Sequence, residues 1–153
     1  MIYLLIFLSG AAALVCEVSW SRQVGQVLGH TAQAAALVLA AFFTGMGLGQ
    51  FFGSRLVSRV RPLLGYGLAE LAGASAASLV PSLLASISET DASDSTMTVL
   101  CFVVLVPATI PLGATFPFVA EHLSRHERHG RRIALAYGLN TAGGLSLIHI
   151  SEP

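Results

Sequence analysis

The chain has 153 residues, 54% of them hydrophobic and only 10% charged, which excludes an ordinary soluble domain with its roughly 25% of charged residues. Eight Lys+Arg balance eight Asp+Glu, so the formal net charge of zero gives no sign of nucleic acid or of an acidic partner. Mean hydropathy is +0.75, the value of an integral membrane protein.

Hydropathy and breaker residues predict five helical spans, at 2–24, 32–52, 63–87, 97–120 and 133–150. Each approaches the ~20 residues that cross a ~30 Å hydrocarbon core at about 1.5 Å per residue. The expected fold is all-α, a polytopic membrane bundle over residues 1–144 and an incomplete fragment of something longer.

The first span is uncharged from Ile2 to Cys16 and then reads "LVCEVSWSRQV". No basic residue precedes it, and valine before Cys16 is a poor lipoprotein cleavage signal, so it is read as a retained span. Counted from Met1, Glu17 lies about 24 Å into the membrane, with Trp20 at the interfacial aromatic belt and Arg22 snorkelling outward. Glu17 and Arg22 point about 140° apart, too far for an internal pair. Gly10, Ala13, Glu17, Ser21 and Gly25 share an arc of about 120°, which turns Glu17 inward toward a partner on another helix. Three readings stay open for it: a functional carboxylate, a structural hydrogen bond between helices, or a protonated buried acid. Cys16 and Cys101 both fall in apolar segments and read as small buried hydrophobes.

The second span has no charge and carries Ala41, Gly45, Gly49 and Gly53 at four-residue spacing, a ridge for close helix packing. Its "GMGLG" is no phosphate loop, because no strand precedes it. In the third span Glu70 sits about 11 Å from the cytoplasmic end, and two readings stay open for it: a second inward acid, or an acid held by an arginine near the interface. The fourth is the most irregular: Pro107, Pro111 and Pro117, with Gly113 and Thr115, interrupt it in "VPATIPLGATFPFVAEH". Pro107 falls about 15 Å deep, where a broken helix faces protein or a wet cavity, so a binding helix and a merely kinked one are both open readings. The fifth span contributes Tyr137, Asn140 and Thr141 in "YGLNTAGG", polar groups expected to bond to a neighbouring helix.

Arginines set the expected orientation. Arg55, Arg59 and Arg61 follow span two and Arg125, Arg128, Arg131 and Arg132 follow span four, whereas the other loops hold His30, or Glu89, Asp91 and Asp94, with only Arg22 nearby. The positive-inside rule then places the N-terminus in the cytoplasm and both basic loops at the anionic leaflet of the cell's inner membrane. Glu121, His122, His126 and His129 have spacings a metal can use, but they lie in a wet basic loop with no second ligand cluster. No metal, cofactor or nucleic acid is expected.

Four stretches, "FLSGAAALVCEVSWSRQVGQVLGHT", "LAAFFTGMGLGQFFGSRLVSR", "PLGATFPFVAEHL" and "GRRIALAYGLNTAGG", cover most of residues 7–144. Together they resemble the membrane region of bacterial spermidine synthase-like proteins, a fused major-facilitator-like and spermidine synthase architecture. The resemblance implies a cytosolic aminopropyltransferase-like domain further along a full-length chain, of Rossmann type and using decarboxylated S-adenosylmethionine and a polyamine. None of its catalytic residues maps onto this sequence, so the fragment by itself is expected to have no transferase activity. Two alternatives from other classes are a transport module for a polyamine or other cation, and a structural scaffold. Residues 145–153, "LSLIHISEP", depart from the family pattern, read like a translated sequencing adapter, and are expected to be a non-native tail.

Overall fold

A computed structural model describes the backbone of residues 1–29, 31–124 and 129–151, and the side chains of these except at 31, 129 and 147–151. His30, Arg125, His126, Arg128, Glu152 and Pro153, and the side chains of His129 and His149, lie outside the described residues, as does most of the expected tail.

Five helices follow in chain order: α1 Ile2–Leu28, α2 Thr31–Leu56, α3 Pro62–Ser88, α4 Asp94–Ser124 and α5 His129–Ser151. Among the described residues there is no strand. Each helix outruns its hydropathy window because polar residues at the edges carry the helix on to a physical stop. For α1 that stop is Gly29, whose φ of 70° returns its N–H to the Gly25 carbonyl at 2.9 Å. At the start of α3, Pro62 takes the first-turn position where its missing donor costs nothing.

Helices α1 to α4 are long and apolar enough to cross a membrane. Their outward faces agree, with Leu8, Phe43, Leu71, Leu79 and Val103 exposed on the bundle exterior. The protein is therefore an all-helical membrane bundle. Although a fifth span is expected at 133–150, α5 is not among these four; it opens on exposed Arg131 and Arg132.

The central helix is α4, with α2 and α3 packed on it more extensively than on any other element. Helix α1 lies against α5 and α2 and, more lightly, against α3. Lipid supplies no hydrophobic drive to bring helices together, so close backbone approach and interhelical hydrogen bonds have to hold the bundle. Both are present. A Cβ added at Gly45 would meet the Thr109 hydroxyl and stand 2.7 Å from the Val106 carbonyl, and one at Gly49 would run into the Ile110 carbonyl. Beside this crossing the buried Thr109 hydroxyl shares its one proton between the Ala41 carbonyl of α2 at 3.3 Å and the Val106 carbonyl of its own helix at 2.9 Å. Gly10 and Gly143 bring α1 and α5 together in the same way, against the Asn140 and Phe7 carbonyls.

Two expectations are corrected. The prolines do not interrupt α4, which runs unbroken for 31 residues through Pro107, Pro111 and Pro117. Each proline removes a single donor, and a helix clasped by α2 and α3 keeps its remaining bonds through packing. Nor does Trp20 stand in a lipid-facing belt: it is 2% exposed and packs on Phe42 with ring centroids 5.4 Å apart, in a core shared with Val24, Val38, Leu84 and Leu105.

Candidate functional site

A second, smaller core of Ile6, Tyr66, Phe118, Val119, Leu123 and Ala136 closes the arginine-bearing end of the bundle. Beside it the helices leave a cleft of about 300 Å³, the lower end of the range for small-ligand sites. All five helices contribute polar side chains to it: Ser9 from α1, Gln50 from α2, Tyr66 from α3, Thr115 from α4, Tyr137 and Asn140 from α5. Apolar walls come from Ile6, Met46, Leu112 and Val119.

The convergence is a matter of level. At about 1.5 Å per residue, counted from the arginine-bearing end of each helix, these six residues fall between about 6 and 17 Å deep. Glu70 lies one helical turn beyond Tyr66 and, like Ser9, interacts with its phenol, but it is not among the residues that line the cleft. The Oε1 atom of Glu70 is buried and has no hydrogen-bond partner among the described residues. Among the described residues no arginine, lysine or histidine lines the cleft.

The other candidate residues are scattered. Glu17 is half-buried, eight residues beyond Ser9 and hence about 12 Å further along α1, outside the cleft. Among the described residues no hydrogen bond or ion pair reaches it, so the partner expected across helices is not found there. Arg22 is exposed. Pro107 faces outward, Pro111 lies against Gly73 of α3, and the Pro117 ring approaches Gly53 of α2. Thr115 donates its hydroxyl to Leu112 at 2.7 Å and leaves its lone pairs toward the cleft. Asn140 lines the cleft, but Thr141 is exposed and bonds the Tyr137 carbonyl of its own helix at 3.1 Å, not a neighbour. Tyr137 stands edge-on to Phe116, centroids 5.8 Å apart.

Ser9, Gln50, Tyr66 and Thr109 escape the sequence reading. Ser9 and Tyr66 are uncharged and sit in apolar runs; the i,i+4 spacing of Tyr66 and Glu70 is a signal for Tyr66, and no local signal marks Ser9. Gln50 hides within the glycine ridge. At the same end of the bundle Arg55 stacks its guanidinium 3.5 Å over the Phe51 ring, while Arg59 and Arg61 flank a shallow recess shared with Glu121 of α4. Among the described residues no cluster of histidine, cysteine or carboxylate side chains has the arrangement of a metal site.

No family model, curated protein or solved structure matches the chain.

Proposed function

We propose that the bundle is the membrane region of a spermidine synthase-like protein, set in the inner membrane with its N-terminus in the cytoplasm, and that its cleft binds a small polar solute for passage through the bundle. The observation that carries the binding reading is the cleft, which polar side chains from all five helices line. Polar groups are expensive at membrane depth and persist where they face protein or a water-filled cavity. Bundles place their ligand sites in this position, between facing helices. The link to spermidine synthase-like proteins rests on the four quoted stretches; transferase chemistry belongs to a catalytic domain beyond them, and anionic lipid is the expected companion of the arginine-rich end.

Uptake of labelled polyamine into proteoliposomes tests the solute route. Ala13 lines the cleft, so Ala13→Phe fills it from α1 and is expected to abolish uptake while leaving abundance in the membrane intact. Uptake by Ala13→Phe equal to wild type, at equal abundance, would return the bundle to the role of an anchor.

A further inference from the structure

Outside the cleft, polar and apolar groups meet at the arginine-bearing end of the bundle, around the turn between α2 and α3. Two recesses of about 340 Å³ each adjoin there. Ser58, Arg59 and Glu121 line the first, Leu63, Leu64 and His122 line the second, and Arg61 and Pro62 belong to both. Arg55, near the end of α2, is engaged elsewhere: its guanidinium lies 3.5 Å over the Phe51 ring and donates to the Phe51 carbonyl at 3.4 Å. Arg59 and Arg61 differ. Both are exposed, and among the described residues neither guanidinium has a hydrogen bond or an ion pair, although Glu121 lines the same recess.

The second recess opens onto apolar surface that runs on along the outside of α3, where Leu64, Leu68 and Leu71 are exposed at the spacing of one helix face. A guanidinium meets phosphate oxygens with paired N–H donors. Among the described residues, two guanidiniums against one carboxylate leave the first recess one positive charge, which a single phosphodiester balances. A free phosphate or an acidic peptide would answer the arginines and leave the leucines unused, whereas a lipid answers both halves. We infer that the paired recesses seat one anionic phospholipid, its phosphodiester between Arg59 and Arg61 with the Ser58 hydroxyl as a further donor, and an acyl chain over Pro62, Leu63 and Leu64 toward Leu68. This gives the anionic lipid expected at this end a place and a stoichiometry, and it rests on the proposed orientation for the leaflet that supplies it.

Native mass spectrometry of the full chain in detergent tests the seat, with dioleoyl phosphatidylglycerol, dioleoyl phosphatidylcholine or glycerol 3-phosphate added in turn. One phosphatidylglycerol is expected to stay bound, with phosphatidylcholine and the chainless glycerol 3-phosphate at least tenfold weaker. Arg59→Gln with Arg61→Gln should lose at least tenfold in phosphatidylglycerol affinity. Arg131→Gln with Arg132→Gln removes two exposed charges at the same end, from the start of α5, and should match wild type. Equal loss in the two double variants would mean diffuse attraction to a basic surface and overturns the inference. So does equal binding of phosphatidylglycerol and phosphatidylcholine, or of phosphatidylglycerol and glycerol 3-phosphate. Binding in detergent does not depend on the leaflet, so the seat and the proposed orientation fail separately. Ala13→Phe should hold the lipid like wild type whatever it does to solute uptake; a wild-type chain that retains no phosphatidylglycerol sinks the seat and leaves the solute route standing.

Discussion

Two glycines two residues apart on α2 give opposite expectations. A methyl at Gly49 would collide with the Ile110 carbonyl and stand 2.8 Å from the Ala114 nitrogen and 3.0 Å from the Gly113 Cα. All three are backbone atoms of α4, so no rotamer change relieves the clash. To bring the Ile110 carbonyl out to ordinary contact at about 3.5–4 Å the two helices must part by more than about 1 Å, a gap that forfeits at least about half of each flanking dispersion well. Overpacking of this kind costs ~1–3 kcal/mol, offset by the ~0.5–1 kcal/mol gained when alanine replaces a mid-helix glycine. The net loss for Gly49→Ala is about 1–2 kcal/mol, or a Tm lower by roughly 2–8 °C at about 2–4 °C per kcal/mol for a chain of this size. Gly47 has nothing within 4 Å of its would-be Cβ. Gly47→Ala should therefore keep the wild-type Tm or raise it by up to about 4 °C. Thermal unfolding of both variants in one detergent reads the difference, and equal Tm values would refute the close α2–α4 crossing.

Thr109→Val removes the hydroxyl that reaches Ala41 across the same crossing, and the expected loss is ~0.6 kcal/mol with a ceiling near ~1.7 kcal/mol, measurable as a Tm depression of a few degrees. Trp20, the single tryptophan, is buried against Phe42; its emission should be blue-shifted and only weakly quenched by brominated lipid, whereas strong quenching would restore the lipid-facing belt. For orientation, Asp91 is exposed in the turn between α3 and α4. In a background carrying Cys16→Ala and Cys101→Ala, Asp91→Cys should react with an impermeant thiol reagent in intact cells, and reaction only after lysis would reverse the proposed topology.

Hydropathy made the helices legible because each apolar run is long, and it erred at the ends, where Gly29 and Pro62 stop or start a helix and not a change in polarity. The spacing of Gly45, Gly49 and Gly53 points to a packing face before any partner is known; that the partner is α4, with Thr109 set into it, is tertiary information. Proline misled in α4, since its local penalty is fixed by sequence while the clasp of α2 and α3 that overrides it is not. Glu17 drew attention because a charge in an apolar run is conspicuous. Ser9, Gln50 and Tyr66 are individually bland, and their meeting at one depth depends on the register of five helices, which no single stretch encodes.

The most direct test of the cleft is whether water reaches it. Ser9 lines it and its neighbour Leu8 is 52% exposed on the bundle's outer, lipid-facing surface. In the Cys16→Ala, Cys101→Ala background reconstituted in bilayers, a small cationic thiosulfonate should modify Ser9→Cys readily and leave Leu8→Cys almost untouched. Reaction of Ser9→Cys no faster than that of Leu8→Cys would mean that the polar side chains enclose no wet site, and the binding function would fall with it.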